Sequence, residues 1–162
     1  MTFGAIGNDF AHMMGGGGGI QVNNLFFGGY GVGLTTPMDY KKAEDEIRTY
    51  STSLEFGHGG LWAGIIIARK KPIHLSLSSQ FGWGKIEQRL DSEYGLEPVT
   101  SEEVFVITPI AELEMNFSHF FKVGIGTSTS LVRGRGITYT PYERKDFLKP
   151  SVYLSFKFGW FN

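Results

Sequence analysis

Ser76, His74 and Glu55 are the residue types of an activated nucleophile. A serine hydroxyl attacks an acyl carbon once an imidazole removes its proton and a carboxylate orients that imidazole. His74 and Ser76 stand two residues apart, which puts them on one side of an extended chain, and Glu55 belongs to the neighbouring extended run. Acyl-ester hydrolysis is the chemistry such a trio could do, although an i, i+2 spacing is common by chance.

A second group is electrostatic. Glu55, Glu112, Glu114, Lys122 and Lys157 share one face of their respective runs, with both signs present. Enclosed charges need partners, so cross-strand pairs such as Glu112 or Glu114 with Lys122 are expected. The favoured reading is a structural ion-pair network rather than a pair of catalytic carboxylates, because a neutralising lysine is at hand. His12, His58 and His119 are scattered and cysteine is absent, so no metal site is indicated and no cofactor is called for.

The third feature is glycine. Gly15, Gly17 and Gly19, with Gly29, Gly31 and Gly33, form a wall without side chains if the Asn23-Asn24 turn takes Leu25 as a third residue and pairs Val22 with Phe26. Such a wall relieves crowding in a tightly closed barrel, or seats a lipid, ligand or partner. No helix follows that could make it a nucleotide loop. The net charge of -1 argues against nucleic acid as a partner.

The elements that must position these residues are extended. Eight runs are expected, at 1–6, 9–22, 26–34, 49–68, 73–85, 104–115, 120–132 and 151–161, with a hairpin turn at Gly7-Asn8. The longest apolar run has eight residues, short of the roughly 20 that a spanning helix requires. In the last run Val152, Leu154, Phe156, Phe158 and Trp160 oppose Ser151, Ser155, Lys157 and Gly159. Three further runs carry the same stripe: Ile73, Leu75, Leu77, Phe81 and Trp83; Phe105, Ile107, Ala111, Leu113 and Met115; Phe121, Val123, Ile125 and Leu131. The fourth run changes phase between Phe56 and Leu61, so a bulge is expected at 57–60, with Trp62 and Ile66 turning inward beyond it.

Connections alternate in length. Links at 23–24, 69–72 and 117–119 are short, whereas 35–48, 86–103 and 133–150 are long and polar. Outer-membrane barrels have that asymmetry, with short periplasmic turns and long extracellular loops. The fold class expected is therefore all-β: one domain over 1–162, an eight-stranded antiparallel up-and-down transmembrane β-barrel with periplasmic termini. Its first strand reads as truncated, and the acidic second loop (Asp91, Glu93, Glu97, Glu102, Glu103) could pair with the basic third (Arg133, Arg135, Arg144, Lys145, Lys149) as a cap. A soluble lipocalin-like ligand-binding barrel would instead turn the apolar stripes inward. Small residues on the opposite face, aromatics at both rims (Phe26, Phe117, Phe120, Phe121, Trp160 and Phe161; Phe10, Tyr50, Trp83 and Phe105) and the absence of a closing helix favour lipid outside.

The stretches 15–24 (GGGGGIQVNN), 27–34 (FGGYGVGL), 56–61 (FGHGGL), 72–76 (PIHLS) and 81–84 (FGWG) resemble the small outer-membrane β-barrel proteins of Bacteroidota. The resemblance implies an outer-membrane location and a small barrel, and carries over no catalytic residue. Eight strands leave no aqueous channel. The function expected is structural or interactive, as an accessory subunit of a larger outer-membrane complex, with outer-membrane lipid or lipopolysaccharide and other outer-membrane proteins as partners. The alternative from another class is the lipid-modifying hydrolase of Ser76, His74 and Glu55.

Overall fold

A computed structural model describes residues 1–6, 9–36, 39–42, 50–92, 95–134 and 148–160, the backbone alone being described at 39–42, 50–54, 88–92 and 95–100. Among the described residues ten strands follow one another: β1 (Thr2–Ile6), β2 (Asp9–Val22), β3 (Leu25–Leu34), β4 (Asp39–Lys42), β5 (Tyr50–Ile67), β6 (Ile73–Ser92), β7 (Gly95–Asn116), β8 (Phe121–Ser128), β9 (Leu131–Gly134) and β10 (Ser151–Phe158). They build eight antiparallel walls, because β4 and β9 extend the walls begun by β3 and β8. Pairing runs β3-β2-β1-β10-β8-β7-β6-β5, and β3 returns to β5 to close the barrel.

Alternation of side chains assigns the two faces. Ile73, Leu77, Phe81 and Trp83 are exposed on β6 while His74, Ser76 and Gln80 are buried. On β7 Leu113 and Met115 point out and Val106, Thr108, Glu112 and Glu114 point in. Val152, Phe156 and Phe158 are exposed on β10, Leu154 shares their face, and Trp160 lies 92% exposed beyond the strand end. The stripes expected on these strands therefore face outward, and the small and charged residues face the lumen.

Four expectations are corrected. The Asn23-Asn24 turn is a two-residue one, with Asn23 at φ 55° and Val22 opposite Leu25 rather than Phe26. A slip of one residue exchanges the faces of a strand, so Gly29, Gly31 and Gly33 share the outward face of Leu25 and Phe27, whereas Gly15, Gly17 and Gly19 face in, opposite Val32, Tyr30 and Gly28. Phe26 leaves the rim for the interior, edge-on to Trp62 at 5.2 Å. β5 has no bulge: its pairing with β6 runs unshifted from Thr52 to Ile67. Phe56 and His58 are buried on the face of Trp62 and Ile66, and the adjacent odd position, Glu55, is exposed outside the lumen.

The fourth correction concerns 86–103, which is not a loop. β6 and β7 continue as a two-stranded ribbon to Ser92 and Gly95, with one register shift at Gln88/Arg89. The charged residues of the segment, with Gly95 and Pro98, are what read as a polar connection. The Gly7-Asn8 turn, Tyr50's side chain, Phe161, most of 35–48 and 133–150, and with them the proposed cap, lie outside the described residues.

The interior is layered. At the ribbon end Ile6, Ala11, Met13, Phe56, Ile86, Val104, Val106 and Val132 form an apolar plug. Hydroxyls, amides and aromatic rings follow, and charge collects towards the short turns at 68–72 and 117–120.

Candidate functional site: a charged lumen beside a glycine edge

Glu112 and Glu114 reach the lumen because they are two apart on β7, and β8 and β10 carry lysines to the same level. Lys157 Nζ donates to Glu112 Oε2 at 2.7 Å and to Glu114 Oε1 at 2.6 Å. Lys122 Nζ approaches Glu114 Oε2 at 3.8 Å, and the Ser155 hydroxyl donates to Glu112 Oε1. His74 Nε2 lies 3.0 Å from Glu114 Oε2 and its Nδ1 3.3 Å from the Lys71 carbonyl. The ammonium of Lys157 also lies 5.4 Å from the Trp62 ring centroid and 6.0 Å from that of Phe26. Two carboxylates thus face two lysines, and both carboxylates and Lys122 are buried, so that each of these charges left alone would cost several kcal/mol.

Of the five charges assigned to this network, four meet. Glu55 does not, because the unbroken β5 ladder turns it outward opposite Glu87. His74 completes the cluster in its place, a member the sequence offered only as a nucleophile's partner.

The hydrolase trio is not assembled. Ser76 Oγ is buried and has no hydrogen-bond partner. Both ring nitrogens of His74 lie within reach of other groups, Glu114 and the Lys71 carbonyl. Ser76 pairs with Ile66 on β5, eleven positions along from Glu55, roughly 35 Å at the rise of a strand. Ser76 therefore has no base within hydrogen-bond reach, Glu55 is too distant to orient one, and the carboxylate beside His74 is that of Glu114.

Above the charges, the Tyr30 hydroxyl is 2.8 Å from His58 Nδ1, reaching across from β3 to β5. A side chain at Gly82 on β6 would occupy the same space as that hydroxyl. Gly124 has the same relation to the Glu112 carboxylate. These glycines make room for long side chains, from the adjacent strand at Gly124 and from two strands away at Gly82, which is the packing role expected of small residues in a narrow barrel. Among the described residues no cluster of histidine and carboxylate side chains suits a metal ion.

Beside the charged layer lies a cavity of about 520 Å³, bounded by Gly15, Gly17, Tyr30, Trp62, Ser155 and Lys157. No family model, no curated protein and no solved structure matches this chain. What stands is an eight-stranded antiparallel β-barrel, read from its own residues. The cavity is also bordered by Met14 to Gln21 on β2 and by Leu154 to Phe158 on β10, the two strands that β1 joins. The glycine run was legible as an oddity; its position beside the cavity follows only from the pairing.

Proposed function

We propose that the protein is an integral outer-membrane β-barrel with a structural or interaction role, an accessory subunit of a larger outer-membrane assembly, without an open pore. The observation that carries this reading is the inversion of the two faces. Ile20, Val22, Leu25, Phe27, Ile73 and Ile125 stand exposed outside, while Glu112, Glu114 and Lys122 are buried within. Water would penalise that outer surface, since soluble monomers rarely expose contiguous apolar patches beyond a few hundred Å². Hydrocarbon suits it, because the strands pair in a closed ring and the apolar residues alternate with lumen ones. The soluble ligand-binding alternative requires the opposite orientation of the stripes.

A lumen filled by an apolar plug and a neutralised charge cluster supports a role other than conduction. Binding to other proteins then falls to the outer wall and the ribbon of β6 and β7. The test is extraction: the protein is expected to remain with membranes after a urea wash, to dissolve only in detergent, and to migrate faster on an unheated than on a heated denaturing gel. Monodisperse protein in detergent-free buffer would overturn the membrane assignment. Gentle extraction that yields the barrel alone would overturn the accessory-subunit part.

A further inference from the structure

The outward face of the wall carries no charge along its middle. It is uncharged from Ile73 to Trp83 on β6 and from Phe105 to Met115 on β7. At about 3.3 Å per residue that is roughly 33 Å of strand, or about 25 Å of height at a tilt near 40°, the height of the apolar band of an outer-membrane barrel. Beyond the band the two ends differ. Among the described side chains the outward carboxylates, Glu55, Glu87 and Glu103, all stand at the ribbon end, with Lys85 and Arg133 beside them. Arg69, Lys70 and Lys71 stand at the other end, where no described carboxylate accompanies them outside the lumen.

The basic turn is held by the backbone around it. The Ala68 carbonyl accepts the Lys71 amide at 2.9 Å, so Arg69 and Lys70 form the tip of a tight turn. The Lys71 carbonyl lies 3.3 Å from His74 Nδ1, and the Pro72 carbonyl accepts the Asn116 amide at 2.9 Å. That last bond sets the turn between β7 and β8 beside the basic one. There the Phe117 and Ser118 amides both donate to the Phe121 carbonyl at 3.1 Å, and the Gly159 amide donates to the Phe120 carbonyl at 3.0 Å. Phe117 and Phe120 are left exposed, and the Phe117 ring lies 5.9 Å from that of Phe121 on the outer wall. Lys70 and Lys71 are exposed and Arg69 is half-buried. Cations and phenyl rings thus share one level, immediately beyond Ile73 and Met115, the last apolar positions of the band.

We propose that these two turns bind the phosphate headgroups of anionic phospholipids in the leaflet on the short-turn side. Aromatic girdles lie at headgroup depth, so a lipid whose chains rest on Met115 and Phe121 brings its phosphate to the level of the basic turn. Each Lys or Arg close to an anionic membrane surface strengthens the attraction roughly fivefold, and here no outward carboxylate offsets it. A zwitterionic headgroup offers the same phosphate together with an ammonium that the cations repel. An acidic protein segment would neutralise the cations from the aqueous side and gain nothing from Phe117 and Phe120. The inference rests on the membrane reading and names the lipid that would surround one rim of the barrel.

The test titrates the barrel, in non-ionic detergent, with dioleoylphosphatidylglycerol or dioleoylphosphatidylethanolamine and reads retained lipid by native mass spectrometry. The anionic lipid is expected to bind about a hundredfold more tightly at low salt, a preference that fades at high salt. Arg69→Gln, Lys70→Gln and Lys71→Gln combined should abolish the preference, whereas Arg69→Lys, Lys70→Arg and Lys71→Arg combined should keep it. Lys70→Gln and Lys71→Gln alone should each cost about fivefold, which keeps the test open if the neutral triple variant does not fold. Lys85→Gln with Arg133→Gln, at the opposite rim, should change nothing. Equal binding of the two lipids, a preference that survives the neutral variants, or an equal loss from the opposite-rim pair would overturn the proposal. Displacement of the lipid by equimolar hexaglutamate would also overturn it, by assigning the cations to an acidic protein. Detergent dependence is measured separately, so a barrel that needs detergent but ignores lipid charge would sink this inference and leave the membrane assignment standing.

Discussion

The hydroxyl of Tyr30 occupies the space that a side chain at Gly82 would need, and from there it meets His58 Nδ1 at 2.8 Å. Gly82→Ala is expected to displace the ring, break that bond and lower stability by about 1–3 kcal/mol. Tyr30→Phe removes the nearest atom in conflict and leaves the Gly59 carbonyl oxygen 2.7 Å from the added carbon. The double variant should therefore lose less than the sum of the singles, which urea midpoints of the barrel in micelles would report.

Lys157 balances Glu112 and Glu114 together. Lys157→Met leaves Lys122 facing two buried carboxylates, an imbalance expected to cost about 3 kcal/mol. Adding Glu112→Gln restores one cation to one anion and should recover much of the loss. A double variant no more stable than Lys157→Met would show that the cluster is not held by charge balance.

The glycines divide by their surroundings. A side chain at Gly31 would meet no atom within 4 Å, whereas one at Gly19 would come within 2.6 Å of the Gly28 Cα. Gly31→Ala is expected to be neutral or to stabilise by about 0.5–1 kcal/mol, since glycine weakens strand interiors. Gly19→Ala should destabilise by roughly 1–3 kcal/mol, because the obstructing atoms are backbone. The same midpoint measurement separates them, and reversed signs would contradict the two-residue turn that sets the register.

Ala68 has φ 58°, a left-handed conformation, in the turn where the Lys71 amide donates to its carbonyl at 2.9 Å. An L-residue is strained there by about 1–2 kcal/mol. Ala68→Gly relieves the strain but frees the unfolded chain, so a net gain of about 0.5–1 kcal/mol is expected. A lower midpoint than the parent's would count against this turn geometry.

Ser76 is buried with no partner for its hydroxyl. Ser76→Ala should leave stability unchanged or raise it by about 1 kcal/mol, because an unsatisfied polar group is removed. Release of fatty acid from lipopolysaccharide or phospholipid by the parent, lost in the variant, would revive the hydrolase reading.

Where one face of a strand was apolar and the other small or charged, the sequence was sufficient. Ile73 to Trp83, Phe105 to Met115 and Val152 to Trp160 all point as their alternation requires. β5 misled because the interior is not uniformly polar: Phe56 belongs to the plug, so an apolar residue on the lumen face looked like a change of phase. That mistake also placed Glu55 inside. Glycine has no side chain to vote on register, and the length of one turn decided the faces of Gly29, Gly31 and Gly33. The approach of His74 to Glu114 depends on residues 40 positions apart and could be found only once the strands were paired.

The seam between β1 and β10 joins residues at opposite ends of the chain, Thr2 with Tyr153 and Phe3 with Val152. Most other ladders join strands that follow closely in sequence and can form early, while this one must wait until nearly the whole chain has been drawn round. Closing the ring is therefore expected to be the last step of folding, the wall being a zip whose final teeth are Thr2 with Tyr153 and Phe3 with Val152.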